Sequence, residues 1–267
     1  MDKILLFIPM YNCEKQIVRV LAQLKGESAD FLSQVIVVNN RSTDGGEQAV
    51  INWLKANPLS VPVKLLRNDH NYGLGGSHKV AFGYALEHGF DYVIVLHGDD
   101  QGELSNLLPY LKNGDYRSCD CFLGARFMHG SHLQGYSAFR TVGNRVFNLL
   151  FSVGVGHRIY DLGSGLNMYK VKSLENGYYL KFKDNMIFND YMLPASIGLG
   201  LHIKFFPISW REDDQVSNVK MVKNSMQVLD ILRMYVFDRK KLLYAEHRDT
   251  PVASYTAQEI FSVGGEA

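Results

Sequence analysis

The chain has 267 residues, of which 46% are hydrophobic and 21% charged. These ordinary values indicate a globular protein with a sizeable core. Basic residues outnumber acidic ones by 28 − 27 = 1, so the overall charge excludes the strongly basic class of nucleic-acid-binding proteins. The three cysteines, Cys13, Cys119 and Cys121, lack CxxC spacing. An odd count without that spacing argues against a disulfide framework and a zinc site.

The first residues, MDKILLFIPMYN, lack the long apolar core and small-residue cleavage site of a signal peptide. No stretch reaches the 18 or so uninterrupted apolar residues of a membrane span. We therefore expect a cytoplasmic protein, at most with a peripheral contact at the inner face of the membrane. We also expect one domain over residues 1–249, followed by a polar, mobile tail over residues 250–267.

Strand and helix patterns alternate through the first hundred residues. Short apolar runs predict buried strands at residues 4–8, 35–38, 63–66 and 92–96. Apolar residues at helical spacing predict helices at residues 17–24, around 50–54, and at 75–88 with Gly89 as the C-cap. This alternation predicts an α/β fold with a mostly parallel central sheet flanked by helices.

The pattern is looser beyond residue 101. Further strands are predicted at residues 121–123, 166–169 and 203–206, and further helices at residues 141–153 and 219–237.

Polar loops follow each of the first four predicted strands, at residues 9–14, 39–44, 68–76 and 97–101. Ligands of parallel sheets bind outside the carboxyl ends of the strands, so we expect these loops to meet at one edge. The third loop, Asn71-Tyr-Gly-Leu-Gly-Gly76, is rich in glycine. Glycines there allow close backbone approach, and the N–H groups that open a helix favour anions.

The most informative segment is residues 93–101, where an apolar strand leads into His97, Asp99 and Gln101. In extended chain these three side chains point to the same side. An imidazole, a carboxylate and an amide oxygen can together hold a divalent ion, which would neutralise a diphosphate leaving group. The alternative is a polar strand end followed by an Asp-rich turn.

The segments IPMYN, NNRSTD, NYGLGG and HGDDQ, in this order, resemble the family 2 glycosyltransferases of the GT-A fold. The resemblance continues through GARF, YDLGSG and FND, and it ends at PISWR, so that it covers roughly residues 3–215. Within the family, the sequence is most similar to the polyprenyl-phosphate sugar transferases of the dolichol-phosphate mannosyltransferase type.

This resemblance implies an inverting transfer from a nucleotide-diphosphate sugar donor to a polyprenyl-phosphate or glycan acceptor. The positions that it assigns to the nucleotide sugar are Pro9, Tyr11, Asn12, Asn40, Asp44, Asn71, Gly73 and Asp99.

The same resemblance implies a Mn²⁺ or Mg²⁺ ion on the triad His97, Asp99 and Gln101. It makes Arg126 and Arg140 the phosphate-binding residues of donor and acceptor, a task that suits a guanidinium.

Two carboxylates, Asp190 and then Asp161, are the candidates for the general base, although a lipid phosphate is already an anion and needs a base less.

The sequence departs from the family pattern at two places. Asn39 and Asn40 stand where the family usually has two aspartates, which leaves the base of the donor undefined. His97 replaces the first metal carboxylate. A neutral imidazole removes one negative charge, so either Mn²⁺ becomes more acceptable relative to Mg²⁺, or His97 hydrogen-bonds a phosphate directly.

Residues 219–237 place Val222, Met226, Leu229 and Val236 on a helix that is followed by Arg-Lys-Lys at 239–241. This helix either covers the core of the protein or rests on an anionic membrane surface. Two other functions stay open, a sugar-nucleotide pyrophosphorylase and a non-catalytic sugar-nucleotide binder. The sequence also leaves open whether the chain forms a homo-oligomer.

Overall fold

The computed structural model of the chain describes residues 2–212 and 221–264. Its strands are β1 (Ile4–Met10), β2 (Gln34–Asn39), β3 (Val63–Asn68), β4 (Tyr92–Leu96), β5 (Cys121–Ala125), β6 (His132–Gln134), β7 (Leu166–Lys170), β8 (Ile203–Pro207), β9 (Ser209–Arg211) and β10 (Ala257–Val263). Its α-helices are α1 (Glu14–Ala22), α2 (Gly46–Ala56), α3 (Gly73–Glu87), α4 (Leu108–Asn113), α5 (Ala138–Val155), α6 (Phe188–Gly198), α7 (Met221–Phe237) and α8 (Arg239–Tyr244).

Eight of these strands form the central sheet, in the order β10-β3-β2-β1-β4-β7-β5-β8. The pairings make β1, β2, β3, β4, β5 and β8 run in one direction, with β7 and β10 antiparallel to their neighbours. The predicted α/β class with a mostly parallel sheet is therefore confirmed. A second, two-stranded sheet joins β6 to β9.

The strands β1 and β4 in the middle of the sheet are apolar throughout, as expected where helices cover both faces of a sheet. All seven residues of β1 are buried, and they alternate between the two faces. Leu5 and Phe7 pack on the side of α3, α6 and α7, whereas Leu6 and Ile8 pack on the side of α1, α2 and α4. This two-sided burial explains why the runs in the first hundred residues predict strands at the correct places.

The predicted helices also occur. The α3 helix starts two residues earlier than predicted, and Gly89 behind it has a φ of +63°, the left-handed conformation expected at a helix end. The α5 helix extends the predicted 141–153 in both directions. The predicted helix 219–237 is described from Met221 onward, so its first two residues lie outside the described part of the chain. Within that part, no helix is long and apolar enough to cross a bilayer.

The prediction of a mobile tail from residue 250 is wrong for residues 257–263. They form β10, which pairs antiparallel with β3 at the edge of the sheet, and an ion pair of 2.8 Å joins Lys64 to Glu259. The strand is only half buried and contains polar residues, so it has no apolar run that would predict a strand. Residues 265–267 of the predicted tail lie outside the described residues.

Candidate active site

The loops that follow the parallel strands meet at one edge of the sheet, as predicted. The Gly98 N–H donates to the Pro9 carbonyl at 3.1 Å, which ties the loop after β4 to the end of β1. The Asn40 amide donates to Asn71 Oδ1 at 2.8 Å, which ties the loop after β2 to the loop after β3. This edge is the candidate active site.

The loops after β1 and β2 are joined by side chains that the sequence assigns to the nucleotide. Asn12, at a φ of +49°, accepts a hydrogen bond from the Thr43 N–H at 2.8 Å. Both oxygens of Asp44 accept backbone N–H groups, from Glu14 at 2.9 Å and Gly46 at 3.0 Å. Asn12 and Asp44 therefore shape the loops, and Asp44 fixes the start of both α1 and α2.

Asn40 also belongs to an internal network. It is 4% exposed, and its Oδ1 accepts from Asn68 Nδ2 at 2.9 Å and from the Tyr72 N–H at 2.8 Å. Together with the bond to Asn71, both ends of its amide are used inside the protein. The assignment of the Asn40 side chain to direct nucleotide contact does not agree with this geometry, because its amide holds the loops in place. Asn71 is exposed, and its Oδ1 accepts from Asn40 and from the Gly73 N–H, so its assignment to the nucleotide stays a prediction.

Tyr11 and Arg41 are exposed side chains of these loops. Tyr11 is 48% exposed, and Arg41 is exposed at a φ of +65°. An exposed aromatic ring provides a surface on which a flat base can stack, and an exposed guanidinium can bind a phosphate.

The glycine-rich loop allows another segment of the chain to pack closely against it. This observation corrects the prediction that the loop, including Gly73, is an anion-binding turn. A Cβ on Gly73, whose φ is +76°, would lie 2.4 Å from the Asp184 carbonyl oxygen. The same carbonyl accepts the Gly75 N–H at 2.7 Å. A Cβ on Gly75 would lie 2.5 Å from the Lys183 carbonyl. These glycines therefore let the segment at Lys183 and Asp184 approach the start of α3, and the N–H of Gly75 is already used.

The chain turns directly after β4, so the prediction that His97, Asp99 and Gln101 share one side of an extended strand is wrong. The strand ends at Leu96, and Asp100 has a φ of +60°. The alternation of side chains holds only in extended backbone, and a left-handed residue breaks it.

Asp100 is held in this turn by two arginines. Its carboxylate, 1% exposed, forms ion pairs with Arg19 and Arg211, and Arg211 Nε also donates to the Asp100 carbonyl at 2.8 Å. Of the two neighbouring carboxylates, Asp100 is therefore neutralised within the protein, and Asp99 is the one left for a ligand.

His97 lies beneath Gly165, where a Cβ would stand 2.8 Å from the imidazole Cγ. Its Nε2 is buried and has no hydrogen-bond partner among the described residues. Burial, with the nearby charge of Arg126, lowers the pKa of His97 to about 4. The ring is thus neutral at physiological pH, and Nε2 has an unused capacity to bind a ligand.

Asp99 is partly buried and accepts the Gln101 N–H at 3.3 Å. Burial raises its pKa to about 6, and the adjacent charge of Asp100 adds to this effect. No group of three His, Cys, Asp or Glu side chains suited to a metal occurs in residues 2–212 and 221–264. Mg²⁺ and similar ions are often held by one or two carboxylates together with substrate phosphates. Asp99 and the unpartnered Nε2 of His97 fit such a shared site.

Arg126 and Asp161 form a buried, two-pronged ion pair. Nε and Nη2 of Arg126 each donate to one carboxylate oxygen of Asp161 at 2.8 Å, and the Arg126 N–H donates at 2.9 Å. The guanidinium also lies 5.2 Å from the Trp210 ring. Because these bonds occupy the Asp161 oxygens, the geometry argues against Asp161 as a general base. Arg126 provides a fixed positive charge, and this charge lowers the pKa of both His97 and Asp99.

Asp190 lies in the first turn of α6 and is partly buried. Burial raises its pKa to about 7, the charge of Asp161 adds to this, and the charge of Arg126 opposes it. The carboxyl group is therefore poised to gain or lose a proton near neutral pH, which is what a general base needs.

Arg140, at the start of α5, is engaged within the protein. Its Nη1 donates to both oxygens of Glu212, at 2.7 and 2.6 Å. Its guanidinium lies 4.7 Å from the Tyr136 ring, and that of Arg126 lies 5.9 Å from the same ring. Arg140 and Arg126 therefore both contact the Tyr136 ring. The ion pair of Arg140 with Glu212 joins the start of α5 to the end of β9.

Sequence reasoning missed the roles of Arg19, Trp210 and Arg211. The last two appear in it only as the end of the family resemblance. Arg19 lies in α1, 81 residues before its partner Asp100, so no local pattern connects them.

A comparison with protein families decides the class of the protein. Residues 6–177 match the model of the family described as Glycosyl transferase family 2. The chain belongs to this family. The resemblance seen in its motifs is therefore confirmed, and the protein is a glycosyltransferase.

Several relatives of this glycosyltransferase carry names. It is 24% identical over 173 residues to an undecaprenyl-phosphate mannosyltransferase of Micrococcus luteus, covering 64% of this chain and 68% of that protein. It is 25% identical over 179 residues to a polyprenol monophosphomannose synthase of Mycolicibacterium smegmatis, covering 65% and 64%. A dolichyl-phosphate beta-glucosyltransferase of Trichomonas vaginalis is 22% identical over 245 residues, covering 88% and 73%. The chain thus spans about two thirds of the length of the first two relatives.

Solved structures agree on the fold. The UDP complex of glucosyl-3-phosphoglycerate synthase from Mycobacterium tuberculosis has a TM-score of 0.60 at 15% identity, covering 88% of this chain and 80% of that one. The mannosyltransferase PcManGT from Pyrobaculum calidifontis, in complex with GDP-Man and Mn²⁺, has a TM-score of 0.54 at 18% identity, covering 86% and 60%. At such low identity these structures show the fold alone, and the predicted GT-A fold is confirmed.

Proposed function

We propose that this glycosyltransferase moves a sugar, with inversion, from a nucleotide-diphosphate donor to a polyprenyl phosphate. The observation that carries the proposal is the grouping of Asp99, Arg126 and Asp190 at the carboxyl edge of the sheet. The charge of Arg126 lowers the pKa of both carboxylates, which supports a single site for the three residues. The polyprenyl- and dolichyl-phosphate relatives support the choice of acceptor.

The donor is proposed to lie across the loops after β1, β2 and β4. Its base stacks on the exposed Tyr11 ring, and its diphosphate faces Asp99 and His97. A divalent cation bound by Asp99 and the diphosphate would neutralise the negative charge that develops on the leaving group. The neutral imidazole of His97 donates a hydrogen bond to a phosphate oxygen, or it binds the cation through Nε2.

The acceptor is proposed to approach from the side of Asp190. A phosphate monoester carries its last proton with a pKa near 6, so Asp190 can take that proton and leave a dianion as nucleophile. The fixed charge of Arg126, paired with Asp161, limits how far the pKa of Asp190 rises.

A saccharide hydroxyl is a second candidate acceptor, and the pKa of Asp190 near 7 favours it. A hydroxyl needs a base during attack, and a base works best when its pKa is near the working pH.

The test is a panel of UDP-, GDP- and dTDP-sugars combined with undecaprenyl phosphate in detergent or with a set of oligosaccharides. We expect release of the nucleoside diphosphate with undecaprenyl phosphate, together with a glycolipid product of inverted anomeric configuration. Release only with oligosaccharides would support the second candidate. Release of pyrophosphate, or donor binding without turnover across the panel, would contradict both.

A further inference from the structure

One face of α5 is apolar and exposed along the length of the helix. The six side chains on this face are 44% to 77% exposed. They are Phe139, Val142, Val146, Leu149, Leu150 and Val153. Their spacing places them within a stripe about 100° wide, the width of an apolar face that normally packs against a partner. The opposite face, with Asn148, Phe151 and Val155, packs on the protein itself.

The α7 helix enlarges this face. A Cβ on Gly154 would lie 2.5 Å from Leu232 and 3.4 Å from Val236, so α5 and α7 touch at this glycine. The side chains that α7 leaves exposed are Met226, Leu229, Val236 and Phe237. We call these four residues and the six of α5 the apolar surface. The side chain of Val222, which the sequence groups with them, lies outside the described side chains. Other residues of α7, such as Ile231 and Met234, are buried in the core, so this side of the helix covers the protein as one of the two interpretations expected.

The border of the apolar surface is positively charged. Residues 121–160 contain no aspartate or glutamate. Arg145 and Arg158 line a groove beside Leu149, together with Asn148 and Ser152. Neither arginine forms an ion pair with a carboxylate in the described residues, although the Arg158 guanidinium lies 4.7 Å from the Tyr160 ring. Two unpaired guanidinium groups beside an apolar face are complementary to the phosphates that border the acyl layer of a membrane.

The groove leads toward the candidate active site. Its walls include Phe127 and Tyr160, the immediate chain neighbours of Arg126 and Asp161. A lipid phosphate at Arg145 and Arg158 would therefore lie in a groove whose wall adjoins, in sequence, the buried ion pair of the site.

We propose that the apolar surface docks on an anionic phospholipid bilayer, with α5 in the plane of the interface and Arg145 and Arg158 on lipid phosphates. Docking would bring the active site close to polyprenyl phosphate in the membrane. This inference therefore rests on the proposed function. A second copy of the chain suits this surface less well. A twofold contact through α5 would bring the unpaired arginines of both copies together, and like charges oppose association.

The test is flotation of the full chain with vesicles of phosphatidylcholine alone and with roughly a third of phosphatidylglycerol. We expect binding to the mixed vesicles. Leu149→Asp should weaken it by about tenfold or more, because a charge replaces apolar surface at the interface. The matched control is Leu180→Asp, a change at a leucine that is 42% exposed elsewhere on the protein, and it should bind like the wild type. Equal effects of the two variants would overturn the proposal.

Charge is tested separately. Arg145→Gln with Arg158→Gln should weaken binding to the mixed vesicles by about 25-fold, since each basic group near an anionic surface contributes about fivefold. The control is Lys55→Gln with Lys172→Gln, which removes the same charge from exposed lysines elsewhere. An equal loss in both pairs would overturn the assignment of the two arginines.

Turnover with undecaprenyl phosphate in detergent separates docking from the proposed function. Transfer by a wild-type protein that does not float would overturn docking and leave the function intact. Flotation with the expected pattern of variants, but without transfer, would support docking and contradict the function. A dimer in sedimentation velocity that Leu149→Asp dissociates, with no flotation, would overturn docking in favour of a second copy.

Discussion

The two carboxylates Asp161 and Asp190 lie near the same arginine, yet their environments give them different chemistry. Asp161 uses its oxygens to bind Arg126, whereas burial and the charge of Asp161 raise the pKa of Asp190 to about 7. The sequence makes Asp190 and then Asp161 the candidates for the general base, and that assignment stays a prediction. The difference itself depends on a pairing across 35 residues that no local pattern reveals.

The first prediction concerns catalysis by Asp190. Because a protonated carboxyl group cannot accept a proton, kcat/KM should rise as the pH increases through about 7. Asp190→Asn should lower kcat by about 10²- to 10⁴-fold and abolish this pH dependence. The measurement is the pH profile of nucleoside diphosphate release by both proteins. An unchanged profile in the variant would show that another group titrates.

The second prediction concerns stability. Folding raises the pKa of Asp99 to about 6 and that of Asp190 to about 7, from an ordinary value of 3.8. Between pH 4 and 7 these two groups therefore bind more protons in the native state than in the unfolded state, so their contribution to the free energy of unfolding falls as pH rises.

Asp99→Asn and Asp190→Asn each remove a titrating carboxyl group and, with it, the loss of stability that this group causes at high pH. Each should raise the Tm at pH 8 relative to the wild type, by about 2 to 4 °C for each kcal/mol recovered, and change it little at pH 4. Thermal unfolding at the two pH values is the measurement. A lower Tm for both variants at pH 8 would contradict the raised pKa values.

The third prediction concerns the buried ion pair. Arg126→Gln should destabilise the protein by about 3 to 5 kcal/mol, because it leaves the Asp161 carboxylate buried without its partner. Adding Asp161→Asn should recover part of that loss, since the two residues act as a unit. Urea unfolding of both single variants and the double variant measures the coupling. Additive losses would mean that the pair contributes no interaction energy.

At the scale of elements, the sequence revealed the strands that contain apolar runs and missed β6, β9 and β10, which are short or only half buried. Residues of β1 and β4 are buried throughout and form apolar runs. The edge strand β10 is half buried and reads as a polar tail. The α6 helix was missed because it is buried almost all round and contains Pro194, so it has neither an apolar stripe nor a helix-like composition.

The fourth prediction follows from β10. Ending the chain after Thr256 removes the partner of β3 and exposes an unpaired strand edge, which promotes aggregation and lowers stability. We expect a lower Tm and a tendency to associate in size-exclusion chromatography. A chain that ends after Gly264 is the matched control and should behave like the full chain. Equal behaviour of both truncated chains would show that β10 does not protect the edge.

At the scale of the whole molecule, the sheet explains why the residue types of the site were predictable and their contacts were not. Strands followed by polar loops predict one functional edge, because the carboxyl ends of parallel strands lie together. Which side chains then pair depends on the strand order and on turns such as the one at Asp100. That turn pairs Asp100 with two arginines, so the proposed contact with the donor diphosphate falls to Asp99.

The proposed transfer therefore depends most directly on Asp99. The decisive measurement is the release of nucleoside diphosphate from the preferred sugar nucleotide, with Mn²⁺ and with a chelator, by the wild type and by Asp99→Ala. We expect the wild type to turn over only with the metal. The variant should lose that activity by about 10²-fold or more while it keeps a cooperative thermal transition. Full metal-dependent turnover by a folded Asp99→Ala protein would contradict the proposed role of Asp99 at the donor diphosphate.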